Sequence, residues 1–377
     1  MVAKAILILF VGGSGGSPVE EMLLEAQGAI VRDILEQAVE TDAFHGFILV
    51  TNQPAMAQGL PPGTEVEIDP GGAPFHLGQR LREVIEKYHV ERPFYMGGGG
   101  LPLLGTQGLA EVAQQLGKAE NTVITNNLYS ADLVAFTPGS ALSTIPLPQR
   151  DNPLAFLLSR QGGLKDVSLP RNAATQLDVD TPTDLLILSL HPGTGPHLRT
   201  FLDQAALDTT PLRRAMASFT DPLGQVVVAG RVGSHLWAYL EKETACRVRF
   251  FSEERGMGAE GREERGEVRS LLGFYLQQVG TAAFFRTLAQ LGDAVFIDSR
   301  VVFGHLGLHP SGPDRYYSDL GQVREIKDPM VREFTEGALE APLPVVLGGH
   351  SLVSGGLWAL VEAAWLEEDR KRLTGGG

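Results

Sequence analysis

Gly12-Gly13-Ser14-Gly15-Gly16 interrupts the chain directly after the apolar run Ala5–Val11. A strand ending in glycines lets backbone N–H groups approach a phosphate or a base without Cβ clashes. The plainer alternative is a tight strand-to-helix turn. Two further clusters occupy the same kind of position. Asn52-Gln53-Pro54 follows the strand-like 47–51, and Gly97-Gly98-Gly99-Gly100 follows 93–96. Ligands of parallel sheets sit beyond the carboxyl ends of the strands. Gly12, Gly13, Ser14, Gly15, Gly16, Asn52, Gly99 and Gly100 are therefore the candidate nucleotide-binding residues. Asn126 joins them as an amide able to read a base or a sugar, with a turn as its alternative.

Acids and cations form two further groups. Asp178 and Asp180 alternate, so an extended chain points them to opposite faces and one ion cannot take both. Asp178 is the candidate Mg²⁺ ligand and catalytic residue, whereas Asp180 is placed to cap the helix that Pro182 starts. A helix start without metal is the other reading of that segment. The second half carries Glu253, Asp298, Arg300, His305, Arg315, His350 and Ser351. Arg300 and Arg315 suit either a phosphate or carboxylate ligand or neighbouring acids. His350-Ser351 on a glycine turn suits proton transfer or an activated hydroxyl, which makes Arg300 and His350 the catalytic candidates of this half. His305 with Asp298 and His350 lacks any tight metal-ligand spacing.

These residues need strands and helices to hold them. Apolar runs at 5–11, 47–51, 93–96, 121–125 and 133–136 alternate with helical spacing at 29–39, 77–88 and 109–116. The alternation predicts an α/β fold: a mostly parallel sheet with helices on both faces, followed by a second α/β or α+β domain. The 377 residues suit two domains, 1–208 and 209–377. In the second, 225–229, 247–251, 294–297 and 345–347 read as strands, 268–291 and 357–366 as helices, and 374–377 as a loose tail.

Composition narrows the partners. Lys and Arg total 31 against 45 Asp and Glu, a formal charge of −14, which repels nucleic acid. No stretch approaches about 20 uninterrupted apolar residues, so no membrane span is expected and the protein reads as cytoplasmic. The single cysteine, Cys246, excludes an intramolecular disulfide and reads as a small buried hydrophobe. Homo-oligomerisation stays open.

Three stretches resemble one family. Ile6–Gly16, the segment from Phe94 to Leu104, and Leu177-Asp178-Val179-Asp180-Thr181-Pro182-Thr183-Asp184-Leu185 are similar to segments of the nucleotidyltransferases that include molybdenum-cofactor guanylyltransferases and cytidylyltransferases. The resemblance covers about the first half of the chain. It implies a nucleotide-diphospho-sugar transferase-like fold and Mg²⁺-dependent transfer of a nucleotide from a nucleoside triphosphate to a small acceptor. Two departures accompany it. Glu20, Glu21 and Glu25 stand where the family carries an Arg and a Lys, and Gly100-Leu101-Pro102 replaces its Asp-x-Pro. A first domain that serves only as a binding or dimerisation platform, with any chemistry in the second, is the alternative.

Overall fold

A computed structural model describes residues 3–13, 15–70 and 75–375. Seven strands form the first sheet: β1 (Ala5–Val11), β2 (Phe44–Thr51), β3 (Thr64–Ile68), β4 (Pro93–Gly97), β5 (Thr122–Thr125), β6 (Leu133–Thr137) and β7 (Lys165–Ser168). Their spatial order is β3-β2-β1-β4-β6-β5-β7. Only β6 runs antiparallel to its neighbours β4 and β5. The mostly parallel α/β architecture read from the sequence is present.

The apolar character of β1 follows from its place. It pairs in parallel with β2 on one side and β4 on the other, so both edges and both faces are covered. Ala5, Leu7, Ile8 and Leu9 are fully buried there. One face packs Ile8, Phe10, Tyr95 and Phe136 against Leu77, Leu81, Val84 and Ile85 of the helix Leu77–Lys87. The helix Pro18–Glu40 reaches well before the helical spacing read at 29–39 and runs through Gly28 without a break. Ala26, Ala29, Ile30, Ile34 and Leu35 are buried along it, and that burial outweighs the cost of one interior glycine.

The second sheet has order β11-β10-β8-β9, built from β8 (Gln225–Gly230), β9 (Arg247–Ser252), β10 (Ala294–Asp298) and β11 (Val345–Gly348). All its pairings are parallel. The expected helix 268–291 is two helices, Leu271–Val279 and Thr281–Leu288, parted at Gly280, whose φ of 75° ends the first. Thr374 and Gly375 continue the last helix, and the remainder of the expected tail, 376–377, lies outside the described residues.

By contacts the chain forms two units. Unit 1 comprises 1–15, 24–178 and 195–201; unit 2 comprises 16–23, 179–194 and 202–377. Among the described residues no helix is long and apolar enough to cross a membrane.

In unit 1 the strand order reverses between β1 and β4, since β2 and β3 lie on one side of β1 and β4 on the other. The close fit at this reversal depends on Gly98. A Cβ there would lie 2.4 Å from Val11 Cγ2. Gly98→Ala is expected to lower unfolding stability by about 1–3 kcal/mol, read from urea midpoints. Gly46→Ala, whose new Cβ would meet nothing within 4 Å, should stay within about 0.5 kcal/mol of the parent.

Candidate nucleotide-binding site

A cleft of ≈ 970 Å³ opens at the reversal point, beyond the carboxyl ends of β1, β2 and β4. Gly12, Gly13, Asn52 and Gly97–Gly99 line it, together with Tyr95, Phe75, Arg80, Arg150 and Asp151. This is the position at which open α/β sheets take ligands.

The glycine loop is held in shape from β2. Gly13 N–H donates to Asn52 Oδ1 at 3.2 Å, Asn52 Nδ2 returns a bond to Gly13 O at 3.2 Å, and Gln53 Nε2 donates to the same oxygen at 2.7 Å. A Cβ on Gly12 would fall 2.5 Å from Asn52 Oδ1, so only glycine admits this clamp. Across the reversal, Gly98 N–H donates to Phe10 O at 2.7 Å. Asn52 therefore positions the loop and its amide is committed to that task.

The cleft's charges differ in freedom. Arg80 is held by Asp69 at 2.8 Å, Glu67 at 3.1 Å and Glu83 at 3.4 Å. Lys87, Tyr88 and Arg80 all donate to Glu67 and lower its pKa to about 2. Arg150, by contrast, is exposed and has no hydrogen bond or ion pair among the described residues. On the floor, the buried Tyr95 hydroxyl lies 3.5 Å from Asp151 Oδ2. Burial and then the nearby Asp151 and Asp132 push the Tyr95 pKa well above its ordinary value. Phe10 packs edge-on against both Tyr95 and the exposed ring of Phe75.

Other sequence candidates lie elsewhere. Ser14 falls outside the described residues, and Gly15 and Gly16 are not among the described lining residues. Gly100 forms an isolated bridge with Asp178, and neither lines the cleft. Asn126 is buried and holds a turn: it donates to Asp132 Oδ2 at 2.7 Å and accepts from the amides of Asp132 and Leu133. Sequence reasoning missed Arg150 and Asp151. Their signal was a charged pair inside the Pro-bounded stretch 146–153, which has no periodicity to mark it.

The segment 180–184 belongs to unit 2 and is a helix start. Thr181 caps the helix Pro182–Leu190 in a capping box with Asp184. Asp184 accepts from the amides of Asp180 and Thr181, from Thr181 Oγ1, and from Ser351 Oγ at 2.7 Å. Thr183 Oγ1 donates to Leu347 O, so this helix start secures the end of β11 twice.

The remaining second-half candidates are divided. Glu253 accepts from Ser270 Oγ and the Leu271 amide. His305 accepts from the Ser270 amide and stacks edge-on with Phe274. Asp298 is buried in a two-point ion pair with Arg231, and Arg300 in another with Asp319. Arg315 keeps a buried Nε without a partner among the described residues. His350 is exposed at the turn after β11.

No protein-family model and no curated protein matches the chain. Solved structures similar to its first half include a cytidylyltransferase from Leptospira borgpetersenii serovar Hardjo-bovis, at 18% identity over 55% of this chain and 96% of that one, TM-score 0.39. CMP:2-keto-3-deoxy-manno-octonic acid synthetase complexed with CTP is similar at 17% identity over 48% of this chain and 95% of that one, TM-score 0.33. A 4-diphosphocytidyl-2C-methyl-D-erythritol synthase is similar at 16% identity over 50% of this chain and 99% of that one, TM-score 0.33.

Asp184 yields a test of the helix start in unit 2. Burial pushes its pKa from 3.8 up to about 7. The folded state then holds one more proton than the unfolded state across that window, and stability falls as pH rises through it. The slope is at most about 1.4 kcal/mol per pH unit. Urea midpoints at pH 5 and pH 7 should show this loss in the parent and a smaller one in Asp184→Asn.

Proposed function

We propose that unit 1 holds a nucleoside triphosphate in this cleft and passes its nucleotide to a small acceptor. The observation that carries the reading is the pair of glycine strand ends, Gly12–Gly13 and Gly97–Gly99, that lines the cleft at the sheet's reversal point. Backbone approaches the nucleotide there, and Arg150 supplies the free positive charge for the phosphates. Phe75 offers an exposed ring at the rim for a base. In the transfer, an acceptor oxygen attacks the α-phosphorus, the bond to the bridging oxygen breaks, and pyrophosphate leaves. The acceptor's proton passes to Asp151, the carboxylate set beside Tyr95.

Among the described residues no group of three or more His, Cys, Asp or Glu side chains is placed to hold a metal ion. No step is routed through a metal ion. A second reading, binding without transfer, is favoured by the full engagement of Arg80 with Glu67, Asp69 and Glu83.

Calorimetry with CTP, GTP, ATP and UTP, each with and without Mg²⁺, tests the binding. At least one is expected to bind, and Arg150→Ala should weaken it about tenfold, as loss of a charge-assisted contact does. Absence of binding by all four overturns the reading. Asp178→Asn should leave the affinity within about twofold, because Asp178 does not line the cleft. A loss restricted to the Mg²⁺ titrations would return Asp178 to the site as an ion ligand. Pyrophosphate release with candidate acceptors separates transfer from binding alone.

A further inference from the structure

Two segments of unit 1 meet along the wall of its cleft. Leu77 N–H donates to Gln149 O at 3.2 Å and Gly78 N–H to Pro148 O at 2.9 Å. These bonds strap the segment 148–151 across the start of the helix Leu77–Lys87. The approach needs a glycine, because a Cβ on Gly78 would lie 2.7 Å from Pro148 Cδ and 2.8 Å from Pro148 O. His76 directly precedes the bonded Leu77, and Arg150 directly follows the bonded Gln149. Both side chains line the cleft, and the strap brings them to the same stretch of its wall.

His76 is oriented by the helix it starts. Its Nδ1 accepts from the Gln79 amide at 3.4 Å and caps the first turn. A ring nitrogen that accepts carries no proton, so the neutral imidazole holds its hydrogen on Nε2. Nε2 has no hydrogen-bond partner among the described residues. The first-turn amides are already taken: those of Leu77, Gly78 and Gln79 by Gln149 O, Pro148 O and His76 Nδ1, and that of Arg80 by His76 O. What this wall offers a ligand is therefore side-chain hydrogen, not helix amides.

The other guanidinium of the cleft is committed. Arg80, one helical turn further on, is held by Glu67, Asp69 and Glu83, and these three carboxylates leave no net positive charge around it. A phosphate in the cleft thus finds its free cation at Arg150, with the His76 Nε2–H as the donor that the strap sets beside it.

Given a nucleotide in this cleft, as the function proposed above requires, the geometry points to His76 and Arg150 as the grip for its terminal phosphates. The cleft then selects nucleoside di- and triphosphates over monophosphates, which lack the groups that this wall holds.

Calorimetry of the full chain with CTP, GTP, ATP and UTP and with the four matching monophosphates tests the grip. The triphosphate that binds the parent is expected to bind about tenfold more tightly than its monophosphate, or better. His76→Asn separates ligand contact from capping, since asparagine keeps a capping acceptor and removes the Nε2 donor. This variant should melt at the parent's temperature and bind the triphosphate about fivefold more weakly. Its affinity for the monophosphate, like that of Arg150→Ala, should stay within about twofold of the parent's. Parent-like triphosphate affinity in His76→Asn overturns the assignment, as does an equal loss for triphosphate and monophosphate. A parent that binds triphosphate and monophosphate equally well overturns it too. A parent that binds no triphosphate overturns instead the nucleotide reading of the cleft from which the assignment starts.

Discussion

The contact of Gly98 with Val11, at the point where β1 and β4 part, is the constraint on which the first unit depends. The Gly98 amide reaches Phe10 O at 2.7 Å, and the space for its approach exists only because the residue has no Cβ. Asn52 fixes the other side of the opening by holding both backbone groups of Gly13. Buried apolar strands supply a rigid base, and the glycines then leave a cleft where side chains would otherwise fill the sheet's end. Rigid elements below and exposed backbone above are what a ligand site requires.

The second unit solves a related problem with charge. Asp298 is fully buried at the end of β10, where burial alone would raise its pKa. The Arg231 guanidinium overrides that effect and holds the carboxyl below its usual value. The Arg300–Asp319 pair repeats the arrangement one step further along the chain. Removing one partner of such a pair leaves an uncompensated buried charge, so the two pairs fix how the strand ends are spaced. Arg255 and His350 lie outside this locked set and are exposed.

Much of this was legible in the residues. Continuous apolar runs marked the buried parallel strands, and glycine clusters after 11 and 96 marked the reversal point, because close backbone approach leaves glycine no substitute. What could not be read was the destination of isolated polar side chains. Arg300 read as a catalytic candidate and Asp298 as a member of the same cluster, and the fold matches them with Asp319 and Arg231, residues remote in sequence whose nearness only the fold creates. His305 likewise serves the Ser270 amide. Local spacing placed the helix start at Pro182 but gave its cap to Asp180, a role that Thr181 and Asp184 fill, and Arg150 and Asp151 entered the cleft from a proline-rich loop with no pattern to betray it.

The central claim is that the glycine-lined strand ends of unit 1 are where a nucleotide binds. Hydrogen–deuterium exchange with and without a saturating nucleoside triphosphate tests it most directly. The account predicts slowed exchange in peptides that cover Gly12–Gly13 and Gly97–Gly99, whose backbone lines the cleft. Unchanged exchange in those peptides would contradict it.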